Sequence, residues 1–198
     1  MSRPRRLLVR IAAVALSLGV LPSLASAMVV VERDFPDLVQ RAEQIVAGTV
    51  SDVSQAQKPS GAPMTLVTVS DLTVMKGEAR DAITLEFYGG VTGEYAIKVP
   101  DMPTFKAGER VVLFIAGNGV NVCPLVGVWQ GSFRILTDAE RGDIVATNDG
   151  RPLAGVAGTQ LQPRRSGGDG GGAAETLTLD GFRQLIADEL ATPSRDSR

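Results

Sequence analysis

The alternation of apolar and polar positions is clearest between residues 105 and 135, and the chain is organised around this stretch. Residues 111–115, Val-Val-Leu-Phe-Ile, form an uninterrupted apolar run, which predicts a strand buried on both faces. Residues 126–135 alternate instead, with Trp129, Phe133 and Ile135 on one parity and glycines at 127 and 131. We predict a second strand here, with Trp129 in the core. Glycines inside a strand indicate strong coiling, so the pair predicts a compact β-barrel or sandwich.

Shorter patterned segments flank this pair. Residues 35–42 predict a short helix, because Leu38, Val39 and Ala42 share one face and Pro36 suits a first helical turn. Further strands are predicted at residues 45–50, 65–75, 83–88, 94–99 and 143–147. Short strands separated by turn residues are typical of an all-β barrel or sandwich.

One predicted strand, residues 65–75, changes its apolar parity. Val67 and Val69 lie on one phase, whereas Leu72 and Val74 lie on the other. A shift of one residue inside a strand predicts a β-bulge, here near residues 70–71. The segment from residue 55 to residue 63 is predicted to be a polar loop.

The composition changes near residue 162. Residues 162–175 are rich in glycine and predict a flexible linker after a β-barrel domain at residues 28–161. Residues 176–192 predict a helix capped by Thr178, and residues 193–198 a disordered tail. The apolar stripe of the helix comprises Leu179, Phe182, Leu185, Ile186 and Leu190. Two interpretations stay open: the helix docks on its own barrel, or it binds a groove on a partner.

Residues 1–27 have the layout of a secretory signal peptide. Four arginines precede an apolar core at residues 11–21, and Ala25-Ser26-Ala27 provides small residues for cleavage. The core is shorter than the roughly 20 residues that span a bilayer, although an uncleaved anchor is the alternative. Residue 28 is Met, not the cysteine that a lipoprotein route requires. We therefore predict an exported protein, periplasmic or secreted, with no membrane span after cleavage.

Export changes the charge of the chain. The full sequence has 20 basic and 22 acidic side chains, and cleavage after Ala27 removes four arginines and no acids, which leaves a formal charge of −6. A chain of this charge is not typical of proteins that bind nucleic acids or anionic membranes, which depend on clustered Lys and Arg. Cys123 is the only cysteine, so an internal disulfide is excluded. We expect it to be a small buried apolar residue; an intermolecular disulfide or a reactive thiol is the alternative.

Residues that the chain lacks narrow its chemistry. It contains no histidine, which excludes Ser-His-Asp and Cys-His nucleophiles and histidine metal ligands. One cysteine cannot build a thiolate metal site, and the glycine-rich segment at 167–172 has neither the Lys-Ser/Thr ending nor the preceding strand of a phosphate-binding loop. We predict no cofactor, no metal and no catalytic residues.

Enzymes without histidine stay open as alternatives. A Ser–Lys dyad requires a desolvated lysine, but we expect the lysines at positions 58, 76, 98 and 106 to be solvated, since they lie at turns or on polar parities. A carboxylate pair could be formed by Glu86 and Glu94 on neighbouring predicted strands, although a charged outer face is the simpler interpretation. We predict that Glu109 and Arg110 fix a turn through an ion pair or a hydrogen bond.

Several short segments together resemble a family. These are the Phe-Pro-x-Leu-Val helix at residue 35, Val-Ala-Gly-Thr-Val at 46–50, Val-Met-Lys-Gly at 74–77, and Phe-x-x-Gly-Glu-Arg-Val-Val-Leu-Phe at 105–114. They resemble exported OB-like barrels of the netrin and tissue-inhibitor-of-metalloproteinase type, and more closely uncharacterised bacterial secreted proteins with this layout. The resemblance covers residues 35–135. It implies a small closed or partly open antiparallel barrel with a helix packed against it, and a binding or inhibitory role.

Two features depart from that family. Its inhibitors chelate zinc through an N-terminal cysteine and brace the barrel with disulfides, whereas residue 28 is Met and no second cysteine exists. Zinc-chelating inhibition is therefore not carried over to this chain, and no inhibitory residue is assigned.

The sequence favours an exported, non-enzymatic module that binds an extracytoplasmic protein. Tyr88, Tyr95 and Trp129 are the candidate ligand contacts, provided that they are exposed. The alternatives are a histidine-independent hydrolase of cell-wall or polysaccharide bonds, which uses a carboxylate pair, and a structural protein of the cell envelope. The oligomeric state is not predicted.

Overall fold

A computed structural model describes residues 32–93, 95–164 and 176–192, with only the backbone of Tyr95. The predicted signal peptide, most of the predicted linker and the predicted tail lie outside these residues. The described ranges contain helices α1 (Phe35–Arg41) and α2 (Leu179–Ala191) and a 3-10 turn at Val128–Gly131. The strands are β1 (Gln44–Gln57), β2 (Pro63–Lys76), β3 (Ala82–Tyr88), β4 (Gly90–Thr92), β5 (Tyr95–Ile97), β6 (Arg110–Ile115), β7 (Ser132–Asp138), β8 (Gly142–Thr147), β9 (Leu153–Ala157) and β10 (Gln160–Pro163).

Six strands form one antiparallel sheet in the order β3-β2-β1-β6-β7-β8, and β4-β5 and β9-β10 form two separate hairpins. The six-stranded sheet is not closed by strand pairing. The predicted fold class is therefore confirmed in its partly open form, mainly β with one helix near each end of the described chain.

Strand β6 is buried on both faces, as its sequence predicts. Val112 and Phe114 point into one apolar cluster, which also includes α1, β7, β8 and α2. Val111, Leu113 and Ile115 point into a second cluster, formed with β1, β2 and β3. The alternation of side chains along a strand divides these five residues between two cores.

The predicted bulge in β2 is confirmed. The pairing of β1 with β2 shifts between Ala47–Thr73 and Thr49–Ser70, so that two residues of β2 lie opposite one of β1. One of them, Asp71, has a φ of 54°. The residue opposite is Gly48, where a Cβ would lie 2.6 Å from the carbonyl oxygen of Ser70. Close approach of the two backbones explains a glycine inside this strand.

The second half of the organising pair is not one continuous strand. Gly127 and Val128 have φ angles of 63° and 61°, which an extended strand cannot accommodate, and a 3-10 turn leads into β7. Trp129 lies on this turn and is 44% exposed, whereas Phe133 is 4% exposed. The prediction that Trp129 belongs to the core is therefore wrong, because its shared parity with Phe133 has no structural meaning across a turn.

Other element boundaries also differ from the prediction. The predicted loop at residues 55–63 is shorter, because β1 extends to Gln57 and β2 begins at Pro63. Strands β4 and β5 pair with each other, where the sequence predicts a turn and one longer strand. The sequence does not predict the β9-β10 hairpin. This hairpin includes Gln162 and Pro163, which lie within the predicted linker at residues 162–175.

Helix α2 packs on the sheet. The Thr178 side chain accepts a hydrogen bond from the Gly181 amide, which confirms the predicted N-cap. Phe182 and Ile186 are buried in the same cluster as Phe114 and Phe133. Of the two interpretations of this helix, the structure shows docking on its own sheet. No helix in the described ranges is both long and apolar enough to cross a membrane.

The outer edge of β3 is covered by the loop that follows β6. Asn118 accepts a hydrogen bond from the Glu86 amide at 3.0 Å and donates one to the carbonyl oxygen of Thr84 at 2.8 Å. The Tyr88 amide donates to the carbonyl oxygen of Val122 at 2.9 Å. This loop thus satisfies strand groups that would otherwise be open to pairing with another chain.

Candidate functional site

Of the three aromatic residues proposed from the sequence, Trp129 and Tyr88 do not line a common cavity. Trp129 is exposed at the rim of a cavity, and Tyr88 is half-buried at the end of β3 and does not line that cavity. The side chain of Tyr95 lies outside the described atoms. Between the two aromatic side chains that the structure describes, Trp129 therefore defines the candidate site.

The cavity has a volume of about 530 Å³, within the range of clefts that hold small ligands. It lies between the start of α1, the 3-10 turn, the end of β8 and the β9-β10 hairpin. Its lining residues are Glu32, Arg33, Phe35, Leu38, Trp129, Gln130, Phe133, Thr147, Arg151, Gln160, Leu161 and Pro163.

Short-range capping positions the first wall. The Asp34 side chain accepts a hydrogen bond from the Asp37 amide at 2.9 Å and caps α1. The Phe35 amide donates to the carbonyl oxygen of Thr159 at 2.8 Å, which ties the start of the helix to the turn of the β9-β10 hairpin. Phe35 and Leu38, on this helix, form the apolar floor of the cavity and are 4% and 3% exposed.

Arg33 links two walls of the cavity. Its backbone amide donates to the Gln130 side-chain oxygen at 2.8 Å, which joins the segment before α1 to the 3-10 turn. Its guanidinium pairs with Asp37. Burial acts to raise the pKa of Asp37, but hydrogen bonds from Arg33 and Arg41 outweigh it and hold this pKa below its ordinary value. The Arg33 Nε atom is buried and has no hydrogen-bond partner among the described residues.

The opposite wall is built by the turn between β8 and β9. The Thr147 hydroxyl accepts from the Arg151 amide at 3.2 Å, and Arg151 Nε donates to Asp149 at 2.8 Å. Hydrogen bonds from Thr147 and then Arg151 hold the pKa of Asp149 below its usual range, against the opposing effect of burial. Next to this wall, the side-chain amide of Gln160 forms no hydrogen bond with a described residue.

The cavity thus combines an apolar floor, an exposed indole at the rim, and polar groups with unused hydrogen-bonding capacity. Both arginines already have a carboxylate partner, although Arg33 shares Asp37 with Arg41. Such a surface suits binding of a largely uncharged ligand with one apolar part.

The residues considered for catalysis lie elsewhere. Glu86 lies 3.8 Å from the Lys58 amine on the outside of the sheet, and Glu94 falls outside the described residues. Lys76 is half-buried, not fully solvated as expected, and its amine donates to the carbonyl oxygens of Val39 and Gln40 at 2.8 and 3.0 Å. Burial lowers the pKa of Lys76, and its contacts satisfy free carbonyls at the end of α1.

The turn before β6 is fixed as the sequence predicts, although the ion pairs have other partners. Glu109 accepts a hydrogen bond from the Lys106 amide at 3.0 Å and pairs with Arg134 at 2.7 Å. Arg110 binds both carboxylate oxygens of Asp143 at 2.6 Å. These contacts link strands β6, β7 and β8.

Sequence reasoning did not find the other polar residues of the cavity. Gln130 falls on the polar parity of residues 126–135, opposite to that of Trp129, yet it is 9% exposed because the 3-10 turn directs it inward. Neither Arg33 nor Arg151 belongs to a sequence motif or a periodic segment that would mark it as a site residue. The available sequence signals were the capping pattern Asp34-Phe35-Pro36 and the turn pattern Asn148-Asp149-Gly150, which mark the two walls without showing that they meet.

Comparison with known proteins gives no match to a family model, a curated protein or a solved structure.

Proposed function

We propose that this protein is exported and acts as a non-enzymatic module that binds another protein in the extracytoplasmic space. The observation that carries this proposal is the cavity of about 530 Å³ with Trp129 exposed at its rim. Large aromatic side chains beside an apolar pocket dominate the binding energy of many protein interfaces. Export rests on the signal-peptide pattern of residues 1–27.

The strand order of the sheet supports the OB-like barrel that the sequence resemblance implies. An OB-type barrel opened between its third and fifth strands has the order third, second, first, fourth, fifth, and β3-β2-β1-β6-β7 follows this order. OB-type barrels commonly bind through the loops that connect their strands. The 3-10 turn with Trp129 belongs to such a loop, between β6 and β7.

The test is affinity capture with the tagged, exported protein and two matched variants. Trp129→Ser removes the aromatic rim, while Val120→Ser removes a more exposed apolar side chain, 85% against 44%, on the loop that covers β3. We expect one protein to be captured in a stoichiometric amount by the wild type and Val120→Ser, and to be lost with Trp129→Ser.

Two outcomes contradict the proposal. If Trp129→Ser still captures the partner and Val120→Ser does not, the partner binds the loop that covers β3 and not the cavity. Capture of no protein by any of the three, with all of them folded, would refute protein binding itself.

A further inference from the structure

The polar groups of the cavity wall identify the kind of segment that fits it. Arg33 Nε is a buried donor without a described partner, and a buried unsatisfied donor carries a free-energy penalty. Gln160 offers an amide donor and a carbonyl acceptor, neither engaged by a described residue. Glu32 adds an exposed acceptor that is in no described ion pair. The wall therefore offers donors and acceptors together.

The charge of the wall argues against a charged ligand. Arg33 pairs with Asp37, and Arg151 pairs with Asp149 at 2.8 Å. Asp37 is shared with Arg41, but the carboxylate of Glu32 offsets the additional positive charge, so the wall has no net charge and a charged ligand gains little net attraction here. An uncharged group with its own donors and acceptors suits the wall better.

The floor requires an apolar group. Phe35 and Phe133 are 4% exposed, and Leu161 is packed against the same cluster. Trp129 provides a further apolar face at the rim. Because Phe35 and Phe133 are already almost fully buried, the apolar surface that a ligand can cover is mainly that of Trp129 and of the half-buried Leu161, and covering it gives the stabilisation of buried apolar surface.

A peptide chain supplies both parts, because each residue has one backbone donor and one backbone acceptor and can carry an apolar side chain. We propose, on the basis of the protein-binding function above, that the cavity takes a short extended peptide of the partner, which inserts one large apolar side chain such as Leu, Met or Phe. The peptide backbone then lies against Gln160 and Glu32, and its side chain lies against Trp129 and Leu161.

The single tryptophan of the chain provides the measurement. Since Trp129 is at the rim, its fluorescence reports occupation of the cavity. The probes are acetyl-Gly-Gly-X-Gly-Gly-amide peptides with X as Leu, Met, Phe or Ala, titrated into the exported protein. We expect saturable changes in fluorescence, with the Leu, Met and Phe peptides binding at least tenfold more tightly than the Ala peptide.

Two variants test the role of the backbone. Gln160→Met keeps the size of the side chain and removes its hydrogen bonds, and Gln162→Met makes the same change at an exposed position that does not line the cavity. We expect Gln160→Met to weaken the Leu, Met and Phe peptides about three- to tenfold and to keep their order. Gln162→Met should bind as the wild type does.

Other results would overturn the proposal. If cyclohexanol saturates the signal as tightly as the Leu peptide, or if the Leu and Ala peptides bind equally, the site does not select a peptide. If peptides bind only after residues 28–31 are removed, the chain itself occupies the cavity. If no peptide binds while Trp129→Ser still loses a captured partner, the peptide proposal fails and the protein-binding function stands. If no peptide binds and Trp129→Ser also fails to lose a captured partner, both the peptide proposal and the protein-binding function are refuted.

Discussion

At the scale of single residues, the environment of a side chain decides its chemistry more than its type does. Cys123, Lys76 and Asp143 all have shifted pKa values, and each shift has a different cause. Burial dominates for Cys123 and Lys76, and a hydrogen bond from Arg110 dominates for Asp143. The consequences of the pKa shifts of Cys123 and Asp143 can be measured directly.

The Cys123 thiol should be unreactive in the folded protein. Burial raises its pKa to about 11, so the thiolate fraction at pH 8 is about 200-fold lower than that of an ordinary thiol. We expect Ellman's reagent to label the unfolded chain within minutes and the native chain at least about 100 times more slowly. Rapid native labelling would support the reactive-thiol alternative instead.

The ion pair of Arg110 with Asp143 should give a pH-dependent contribution to stability. The hydrogen bond from Arg110 holds the pKa of Asp143 below its ordinary value, despite the opposing effect of burial. The contribution is therefore present above about pH 4, the ordinary range, and is lost as pH falls through the lowered pKa. Asp143→Asn should cost about 0.5–1 kcal/mol at pH 7, since both side chains are partly exposed.

Urea unfolding from pH 7 to pH 2 measures this effect, provided that each variant remains folded at the acid end. The difference between wild type and Asp143→Asn should shrink over the acid range. Asp52→Asn, at an exposed position on β1, is the matched control and should track the wild type. A constant difference at all pH values would mean that packing, not charge, accounts for the effect.

At the scale of elements, two attachments complete a sheet that strand pairing leaves open. The loop after β6 covers the edge of β3, and α2 covers the face shared by β6 and β7. In each attachment one residue, Asn118 in the loop and Phe182 in α2, makes contacts that a substitution can test.

Asn118→Ala should uncover the edge of β3. The substitution removes the hydrogen bonds to the Glu86 amide and to the Thr84 carbonyl, each contributing about 1 kcal/mol. We expect hydrogen exchange of the Glu86 amide to accelerate about fivefold or more. Asn121→Ala is the control, because its amide donates to the Ala116 carbonyl within the same loop; equal acceleration in both variants would indicate general loosening of the loop.

Phe182→Ala should destabilise the whole sheet. Phe182 is 0% exposed and its ring lies 5.2 Å from that of Phe133 and 5.7 Å from that of Phe35. Truncation of a buried phenylalanine costs about 3–5 kcal/mol. Leu190→Ala, on the same helix but 36% exposed, should cost under about 1 kcal/mol. Denaturant unfolding of both variants measures the difference, and an unaffected Phe182→Ala would contradict docking of α2 on the sheet.

At the scale of the whole molecule, stability comes from two apolar clusters on opposite faces of one sheet. Strand β6 contributes to both, and the chain has no disulfide to assist it. The cavity lies at the margin of the first cluster, where α1, the 3-10 turn and the β9-β10 hairpin meet.

Export of the whole chain should leave a new terminus at Met28. Small residues at positions 25 and 27 fit cleavage after Ala27. We expect intact mass and N-terminal sequencing of the extracytoplasmic protein to show the loss of residues 1–27. Ala27→Arg should block this cleavage and retain the precursor, whereas an unprocessed wild-type chain would favour the uncleaved anchor.

Local patterns were sufficient to predict most elements. The apolar run at 111–115, the parity shift at 70–71 and the Thr178 cap each leave a pattern that is visible within a few residues of sequence, and the structure confirms all three. A strand with five successive buried residues must have cover on both faces, so the sequence also predicted where the core lies.

The candidate site depended on contacts that no local pattern contains. Trp129 shares a parity with Phe133, but the left-handed φ angles at Gly127 and Val128 break the strand between them and direct the indole outward. Arg33 and Gln130 are 97 residues apart and joined by one hydrogen bond. The sequence by itself thus determined the strands, the caps and the two-sided core, because these follow from local periodicity. Only the tertiary structure decided where the cavity lies, because its walls come from segments distant along the chain.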